Sequence, residues 1–405
     1  MISNEGAGNW SAGILREGNL PGYSDSRTAF CSTDAFEGAS LLREGSVHTI
    51  VTSPPYFSLR SYLPSGHPSK HLEIGGEEDL GEYVSNLVAV FDALAPALRE
   101  DGTLWVVIGD TYGRGKRGRY SGDAARGANK RPGAWAQEGY GKSPEAPEKQ
   151  LLGVPWRFAF AMQDSGWVLR SAIVWEKGNA LPQPVRDRPA NSYEHVFLFS
   201  RRLRYYYDSE TVREAPASYS RRGGSATYTA NGSASHGVGS SSLHQMSETG
   251  RNLRDVWRIN PRAYSGSHYA PYPPELVFPC VRASTSEKGV CPVCGTPWRR
   301  ITEVERSTRK SGGASPKRAS LNTGGVMTSG LVNNSLPETR TTGWEPSCDC
   351  DAGEPEPAIV LDPFCGSGTT LEAARRLGRR SLGFDIDGES LDHLQRRLGY
   401  QETLF

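Results

Sequence analysis

Asp362-Pro363-Phe364-Cys365-Gly366-Ser367-Gly368-Thr369-Thr370 is the stretch on which the reading of the chain turns. It follows the apolar run Ile359 to Leu361 and opens a segment whose apolar residues Leu371, Ala374 and Leu377 recur at helical steps. A strand, a glycine turn and a helix start in succession leave free N–H groups for a ligand, and the glycines let it approach the backbone closely. About twenty residues on, a second apolar run ends in Gly383-Phe384-Asp385-Ile386-Asp387, where an acidic side chain suits the hydroxyls of a ribose. Together they describe a pocket for a nucleoside-type cofactor. No Gly-Lys-Ser/Thr follows the glycines, which excludes a triphosphatase phosphate loop, and the spacing departs from the dinucleotide fingerprint.

Outward from that stretch, strand-length apolar runs alternate with helical periods, the pattern of an α/β protein with a mostly parallel sheet. Expected strands are Thr28 to Cys31, His48 to Thr52, Thr103 to Gly109, Leu169 to Trp175, His195 to Phe199, Ile359 to Leu361 and Ser381 to Phe384. Tyr83, Leu87, Val90, Phe91 and Leu94 form one apolar helix face, and further helices are expected near Pro155, Pro274, Thr369 and Ser390. The chain has 405 residues, 37% hydrophobic and 22% charged, a globular composition that excludes collagen-like and wholly disordered classes. Runs such as Leu104 to Ile108 fall far short of the roughly 20 residues that span a bilayer, and Met1 to Trp10 lacks a signal-peptide pattern. A cytoplasmic protein with no membrane partner is expected. The net charge of +1 does not bear on nucleic acid; the local distribution must decide that.

A second signature, Val51-Thr52-Ser53-Pro54-Pro55-Tyr56, follows the strand ending at Thr52. Two successive prolines fix φ and remove two donors, so the carbonyls are presented rigidly at the sheet's C-terminal edge, where active sites of open α/β sheets lie. Such a corner can grip an exocyclic amine. The Ser53 side chain and the Pro54 carbonyl would accept its two hydrogens, and Tyr56 would stack on the base. An aromatic amine is a weak nucleophile because its lone pair is delocalised, and those hydrogen bonds favour a more tetrahedral nitrogen. No base of high pKa is needed.

Both signatures together resemble the S-adenosylmethionine-dependent DNA amino-methyltransferases. In that family Asp-Pro-Phe-x-Gly-Ser-Gly-Thr-Thr is the cofactor loop, and Asp, Asn or Ser followed by Pro-Pro-Tyr is the catalytic motif. The catalytic motif precedes the cofactor loop by about three hundred residues, which matches the circularly permuted beta class. The resemblance implies a Rossmann-like methyltransferase sheet. It also implies catalytic roles for Ser53, Pro54, Pro55 and Tyr56, and cofactor contacts for Asp34, Thr52, Asp362, Pro363, Phe364, Gly366, Ser367, Gly368, Thr369, Thr370 and Asp385. Asp385 stands where many relatives have glutamate, so Asp387 is an alternative ribose contact. Pro273 to Val277 resembles the segment beside the cofactor's methionine moiety. The resemblance extends over Asp101 to Asp110, Arg170 to Lys177, Arg188 to His195 and Arg254 to Trp257. The serine form resembles the cytosine-N4 subgroup. The implied function is methyl transfer to cytosine N4 in duplex DNA, with a cognate restriction endonuclease as a possible partner. The rivals are adenine-N6 methylation and a catalytically silent DNA-binding protein of the same fold. Cys365 reads as a packed small residue, since no Pro-Cys loop of a cytosine-C5 enzyme is present.

The expected organisation is 20–110 catalytic half, 111–150 basic insertion, 151–210 methyltransferase domain continued and 211–255 flexible insertion suited to target recognition. Then follow 256–285 with the cofactor-side helix, 286–353 as a Cys-rich insertion and 354–400 as the cofactor-binding half. Within the Cys-rich insertion, Cys291-Pro-Val-Cys294 and Cys348-Asp-Cys350 have the makings of a structural zinc site, against the alternative of free thiols. Arg114, Lys116, Arg117, Arg119, Arg126, Lys130 and Arg131 crowd the basic insertion. Arg201, Arg202 and Arg204 precede Tyr205 to Tyr207, itself readable as a strand, and Arg299, Arg300, Arg306, Arg309 and Lys310 follow the first cysteine pair. A charge run is ordinarily a solvated face, but three clusters in insertions beside these signatures point to DNA phosphates.

Overall fold

The computed structural model describes residues 10–19, 21–59, 61–113, 147–180, 182–214, 251–261, 271–305, 338–351 and 353–399. The N-terminal part contains α1 (Trp10–Ile14), β1 (Tyr23–Ser24), β2 (Thr28–Ser32), α2 (Ala35–Ser40), β3 (Val47–Thr52), α3 (Leu80–Leu94) and β4 (Leu98–Ile108). The middle contains α4 (Val154–Asp164), β5 (Val168–Glu176), β6 (Tyr193–Ser200), β7 (Val256–Arg258) and α5 (Pro274–Ser284). The C-terminal part contains β8 (Arg299–Glu305), β9 (Glu338–Glu345), β10 (Ile359–Asp362), α6 (Thr369–Arg376), β11 (Arg380–Asp385) and α7 (Ser390–Gly399). Every expected strand and helix forms except over Tyr205 to Tyr207, where the backbone is irregular and the Tyr206 N–H donates to the Asp101 carbonyl.

The chain divides into two compact units. One comprises residues 1–208, 254–299 and 346–405, and the other 209–253 and 300–345. In the first unit the strand order is β1-β2-β11-β10-β3-β4-β6-β5-β7. The five strands from β2 to β4 run parallel, and β6 pairs antiparallel with both β4 and β5. The sheet is therefore parallel where the two sequence signatures end and mixed beyond. In the second unit β8 pairs with β9, and the Arg300 guanidinium lies 4.3 Å from the Trp344 ring centroid.

Alternation along the strands explains the layering. Leu104, Val106 and Ile108 of β4 join Leu361 of β10 and Phe384 of β11 in one core with Ala39 of α2, Phe91 of α3 and Phe158 of α4. Phe30 of β2 turns to the opposite face and packs with Leu371 of α6 and Leu394 of α7. The central strands are covered on both sides, so successive residues are buried rather than alternately exposed. Gly38 is required in α2, because a Cβ there would stand 2.5 Å from the Phe384 ring.

Polar groups buried between sheet and α5 are satisfied locally. Ser284 Oγ accepts from the Thr103 hydroxyl at 2.7 Å and from the Trp105 indole at 2.8 Å. Ser284→Ala leaves the buried Trp105 indole N–H without its acceptor and removes one of the two hydroxyl partners of Thr103, the other being Thr49, and should lower the unfolding free energy by about 2 kcal/mol, read as a fall in Tm. An unchanged Tm would contradict this account of the layer.

Candidate functional site

Parallel strands β3 and β10 are neighbours, paired Thr49 with Val360 and Ile50 with Leu361, so the segments leaving their C-terminal ends emerge side by side. The chain then turns in opposite senses: β10 pairs with β11 on one flank and β3 with β4 on the other. This is the switch point at which open α/β sheets bind ligands. Ser53 to Tyr56 follows β3 and Pro363 to Gly368 follows β10, and both border one cavity of about 720 Å³.

The join between them is polar and buried. The Thr52 hydroxyl donates to Asp362 Oδ1 at 2.6 Å, and the Phe364 N–H donates to the same oxygen at 3.1 Å. The Tyr272 hydroxyl donates to Asp362 Oδ2 at 3.1 Å, and Thr370 Oγ1 donates to the Val51 carbonyl at 3.2 Å. Burial raises the Asp362 pKa, and the hydrogen bonds it accepts oppose that shift. Of the residues expected to meet a cofactor, Asp34, Pro363, Phe364, Gly366, Ser367, Thr369 and Asp385 line the cavity. Thr52, Asp362, Gly368 and Thr370 are not among its lining residues, and at least three of them tie the two turns together beneath it.

The glycine turn has left-handed backbone at Gly366, φ 48°, and at Gly368, φ 79°, where a Cβ would come within 2.4 Å of Leu394 Cδ1. Asp385 holds the turn from across the sheet. Its Oδ2 accepts the Gly366 N–H at 2.7 Å and its Oδ1 the Asp387 N–H at 2.9 Å. Desolvation pushes the Asp385 carboxyl up to about 6, with these backbone donors acting the other way. Arg397 of α7 donates to the Ser367 carbonyl at 2.7 Å and to its hydroxyl at 2.9 Å. Asp34 caps α2, accepting from the Phe36 and Glu37 N–H groups, and presents its edge to the cavity. Cys365 is buried at the cavity wall, and burial raises its thiol pKa well above the ordinary range.

On the opposite wall, the Pro55 carbonyl is held by the Tyr83 hydroxyl at 2.8 Å, while Ser53 and Pro54 border the cavity. Tyr56 packs on the backbone of Gly109, where a Cβ would come within 2.7 Å of its ring. Its hydroxyl donates to Glu194 Oε2 at 2.7 Å, and Lys177 is ion-paired with Glu194 while lying 4.4 Å from the Trp175 ring centroid. Burial first, and then the Glu194 charge, raises the Tyr56 pKa, while a hydrogen bond from Ser53 lowers it. Lys177, Glu194 and Tyr272 line the cavity but carried no assigned role in the sequence. Glu194 stands opposite Trp175 in the β5–β6 register, a placement no local motif announces.

The pocket fits a nucleoside bearing an amino-acid tail. Its glycine turn has left-handed backbone at Gly366 and no room for a Cβ at Gly368, an acid lies at each of two neighbouring strand ends, and the buried Thr369 hydroxyl borders it without a protein partner. Outside the cavity, the Sγ atoms of Cys291, Cys294, Cys348 and Cys350 all lie within 4.8 Å of one another. The proposed DNA contacts Arg114, Lys116, Arg117, Arg119, Lys130 and Arg131, with Arg126, lie outside the described residues. No helix among the described residues is long and apolar enough to cross a membrane.

The N6_N4_Mtase family model, described as DNA methylase, matches residues 47–295 and 351–396. Type II methyltransferase M.XycI of Xanthomonas campestris pv. cyanopsidis is 40% identical over 258 residues, which is 62% of this chain and 72% of that protein. Type II methyltransferase M.Cfr9I of Citrobacter freundii is 40% identical over 256 residues, with the same shares of the two chains. Among solved structures, PvuII DNA methyltransferase (cytosine-N4-specific) aligns with a TM-score of 0.52 at 16% identity, covering 94% of this chain and 89% of that one, a likeness of fold. With the cofactor turn and the Ser-Pro-Pro-Tyr corner on one cavity and the family model spanning both, the chain belongs to the S-adenosylmethionine-dependent N6/N4 DNA amino-methyltransferases.

Proposed function

We propose that this enzyme methylates the exocyclic N4 amine of cytosine in duplex DNA, as the modifying member of a restriction-modification pair with a cognate endonuclease. The observation that carries the reading is the meeting of Ser53 and Gly366 on one cavity. The serine form of the motif, which resembles the cytosine-N4 subgroup, supports the choice of base.

The polarity of the wall suits an amine. Lys177 pairs with Glu194, and Glu194 accepts a hydrogen bond from the Tyr56 hydroxyl. Ser53 and Pro54 border the cavity beside Tyr56, and the Ser53 hydroxyl oxygen and the Pro54 carbonyl offer two acceptors to a base amine. Two acceptors fixed on a proline-stiffened corner take the two amine protons and hold the nitrogen lone pair out of ring conjugation. Tyr56, held by Glu194 and Gly109, offers its ring as a base-stacking surface. A base must leave the duplex to reach this cavity. S-adenosylmethionine supplies an electrophilic methyl on a sulfonium, and the turn residues Pro363 to Gly366 with Asp34, Thr369 and Asp385 would hold it.

Nucleoside mass spectrometry of DNA incubated with the enzyme and S-adenosylmethionine should show N4-methylcytosine; N6-methyladenine alone would refute the base assignment. Ser53→Ala and Tyr56→Phe should each lower kcat by about 100-fold while leaving S-adenosylhomocysteine affinity within about threefold. Gly366→Ala should weaken that affinity by about tenfold or more, because its left-handed backbone is strained by a Cβ. Equal losses of affinity in all three variants would contradict the division of roles.

Asp385 also sets a pH dependence. Ribose hydroxyls donate to a carboxylate, so binding favours the ionised form. With the free-enzyme carboxyl at about 6, affinity for S-adenosylhomocysteine should be level above neutrality and fall by up to tenfold per pH unit below about 6. Asp385→Asn should bind more weakly at pH 7.5 and lose most of this dependence. Calorimetric titration showing equal wild-type affinity at pH 5 and pH 7.5 would exclude the assignment.

A further inference from the structure

The family model leaves out residues 296–350, which lie between its two matched segments. Cys291 and Cys294 lie just before that gap and Cys348 and Cys350 at its far end, yet their four Sγ atoms converge within 4.8 Å. None is in a disulfide. Zinc–thiolate bonds of about 2.3 Å imply sulfur–sulfur edges of about 3.8 Å in a tetrahedron, so the thiols stand near the spacing that a single ion would draw in. The cluster is too tight to admit the bridging sulfides of an iron–sulfur centre.

The first cysteine pair sits on a turn made for such a site. The Gly295 N–H donates to the Cys291 carbonyl at 2.8 Å and the Cys291 N–H to the Thr296 carbonyl at 2.9 Å. The left-handed Gly295, φ 70°, passes so close to Arg99 that a Cβ would meet its Nη1 at 2.6 Å. Val290 and Glu356 exchange backbone hydrogen bonds of 2.8 and 2.9 Å, which fasten the turn to the lead-in of β10.

The turn also rests on the catalytic sheet. His48, buried in β3, accepts the Ile359 N–H on Nδ1 at 3.1 Å, so its proton lies on Nε2 and is donated to the Gly295 carbonyl at 3.0 Å. Arg99 of β4 grips Asp101 through two nitrogens and donates Nη1 to the Cys294 carbonyl at 2.7 Å. One imidazole and one guanidinium thus join the cysteine turn to the N-terminal ends of β3, β4 and β10. Two of these strands carry the catalytic and cofactor turns at their other ends.

We propose that Cys291, Cys294, Cys348 and Cys350 bind one structural zinc ion, and that the metal-bound turn buttresses the catalytic sheet through His48 and Arg99. This does not depend on which base the enzyme methylates. Elemental analysis of the purified full-length protein, produced with zinc and iron both supplied, should give about one zinc per chain. Replacing Cys348 and Cys350 together by serine should abolish zinc binding, and Cys31→Ser should preserve it. Stoichiometric iron, or less than about a tenth of a zinc per chain with the four thiols open to a disulfide reagent, overturns the metal site. Removing zinc from the wild type with a chelator should lower Tm by about 5 °C or more, and precipitation on removal counts as the same loss. His48→Ala should retain zinc, melt lower than the wild type, and lose less than half the wild-type Tm shift on chelation. An unchanged wild-type Tm, or a shift undiminished in His48→Ala, overturns the buttress.

Discussion

The hydrogen bond from Thr52 to Asp362 joins residues 310 positions apart, and the active site depends on it. Each stands at the last position of a parallel strand, and each is followed by a turn that must face the other across one cavity. Backbone pairing between β3 and β10 brings the turns to the same edge, but two residues of ladder register alone leave them free to splay. The buried carboxylate removes that freedom. It accepts from the end of β3, from the turn after β10 and from Tyr272 ahead of α5, so three separate segments converge on one side chain. A buried acid is tolerated only when its oxygens are so occupied.

The same logic sorts the residues that line the cavity from those that hold its two turns together. Family resemblance groups Thr52, Asp362 and Thr370 with the cofactor loop, and their side chains also fasten the end of β3 to β10 and to the start of α6. Asp385 stands between the two classes. It borders the cavity and also spans from β11 to the glycine turn, so its charge state bears on the shape of the loop as well as on its ligand. At the Ser-Pro-Pro-Tyr corner Lys177 and Glu194 play the corresponding part, holding the Tyr56 hydroxyl.

What the sequence disclosed follows the physics of each element. Strand β10 is covered on both faces and opens with the unbroken apolar run Ile359 to Leu361, while β3 and the middle of β11 are as buried but carry polar residues such as His48, Thr49 and Ser381; the helix face Tyr83, Leu87, Val90, Phe91 and Leu94 is wholly buried as its period requires. Short α2, with the composition Ala-Phe-Glu-Gly-Ala-Ser, has no period long enough to detect, and its glycine exists only to clear Phe384. The run Tyr205 to Tyr207 has strand-like composition, but its backbone bonds to β4 and its neighbour Asp208 bonds to α5 instead of entering a ladder. Glu194 falls within a stretch that resembles the family, but its role could not be read there. That role comes from lying opposite Trp175, two residues from Lys177, in an antiparallel register, and its residue type does not specify that pairing.

The two edges of the sheet carry different burdens. At the C-terminal edge, backbone donors and acceptors are left available, which is costly to stability and useful for chemistry. At the N-terminal edge the opposite holds: His48 has both ring nitrogens occupied, Arg99 is spread over a carboxylate and a carbonyl, and the cysteine turn closes over them. The strand connecting these edges is only six residues long in β3, about 20 Å, and its side chains are buried throughout. A strand so short and so enclosed transmits displacement along its axis with little slack. His48 and Arg99, bonded to the Gly295 and Cys294 carbonyls, therefore tie the cysteine turn to the end of β3 opposite the catalytic corner.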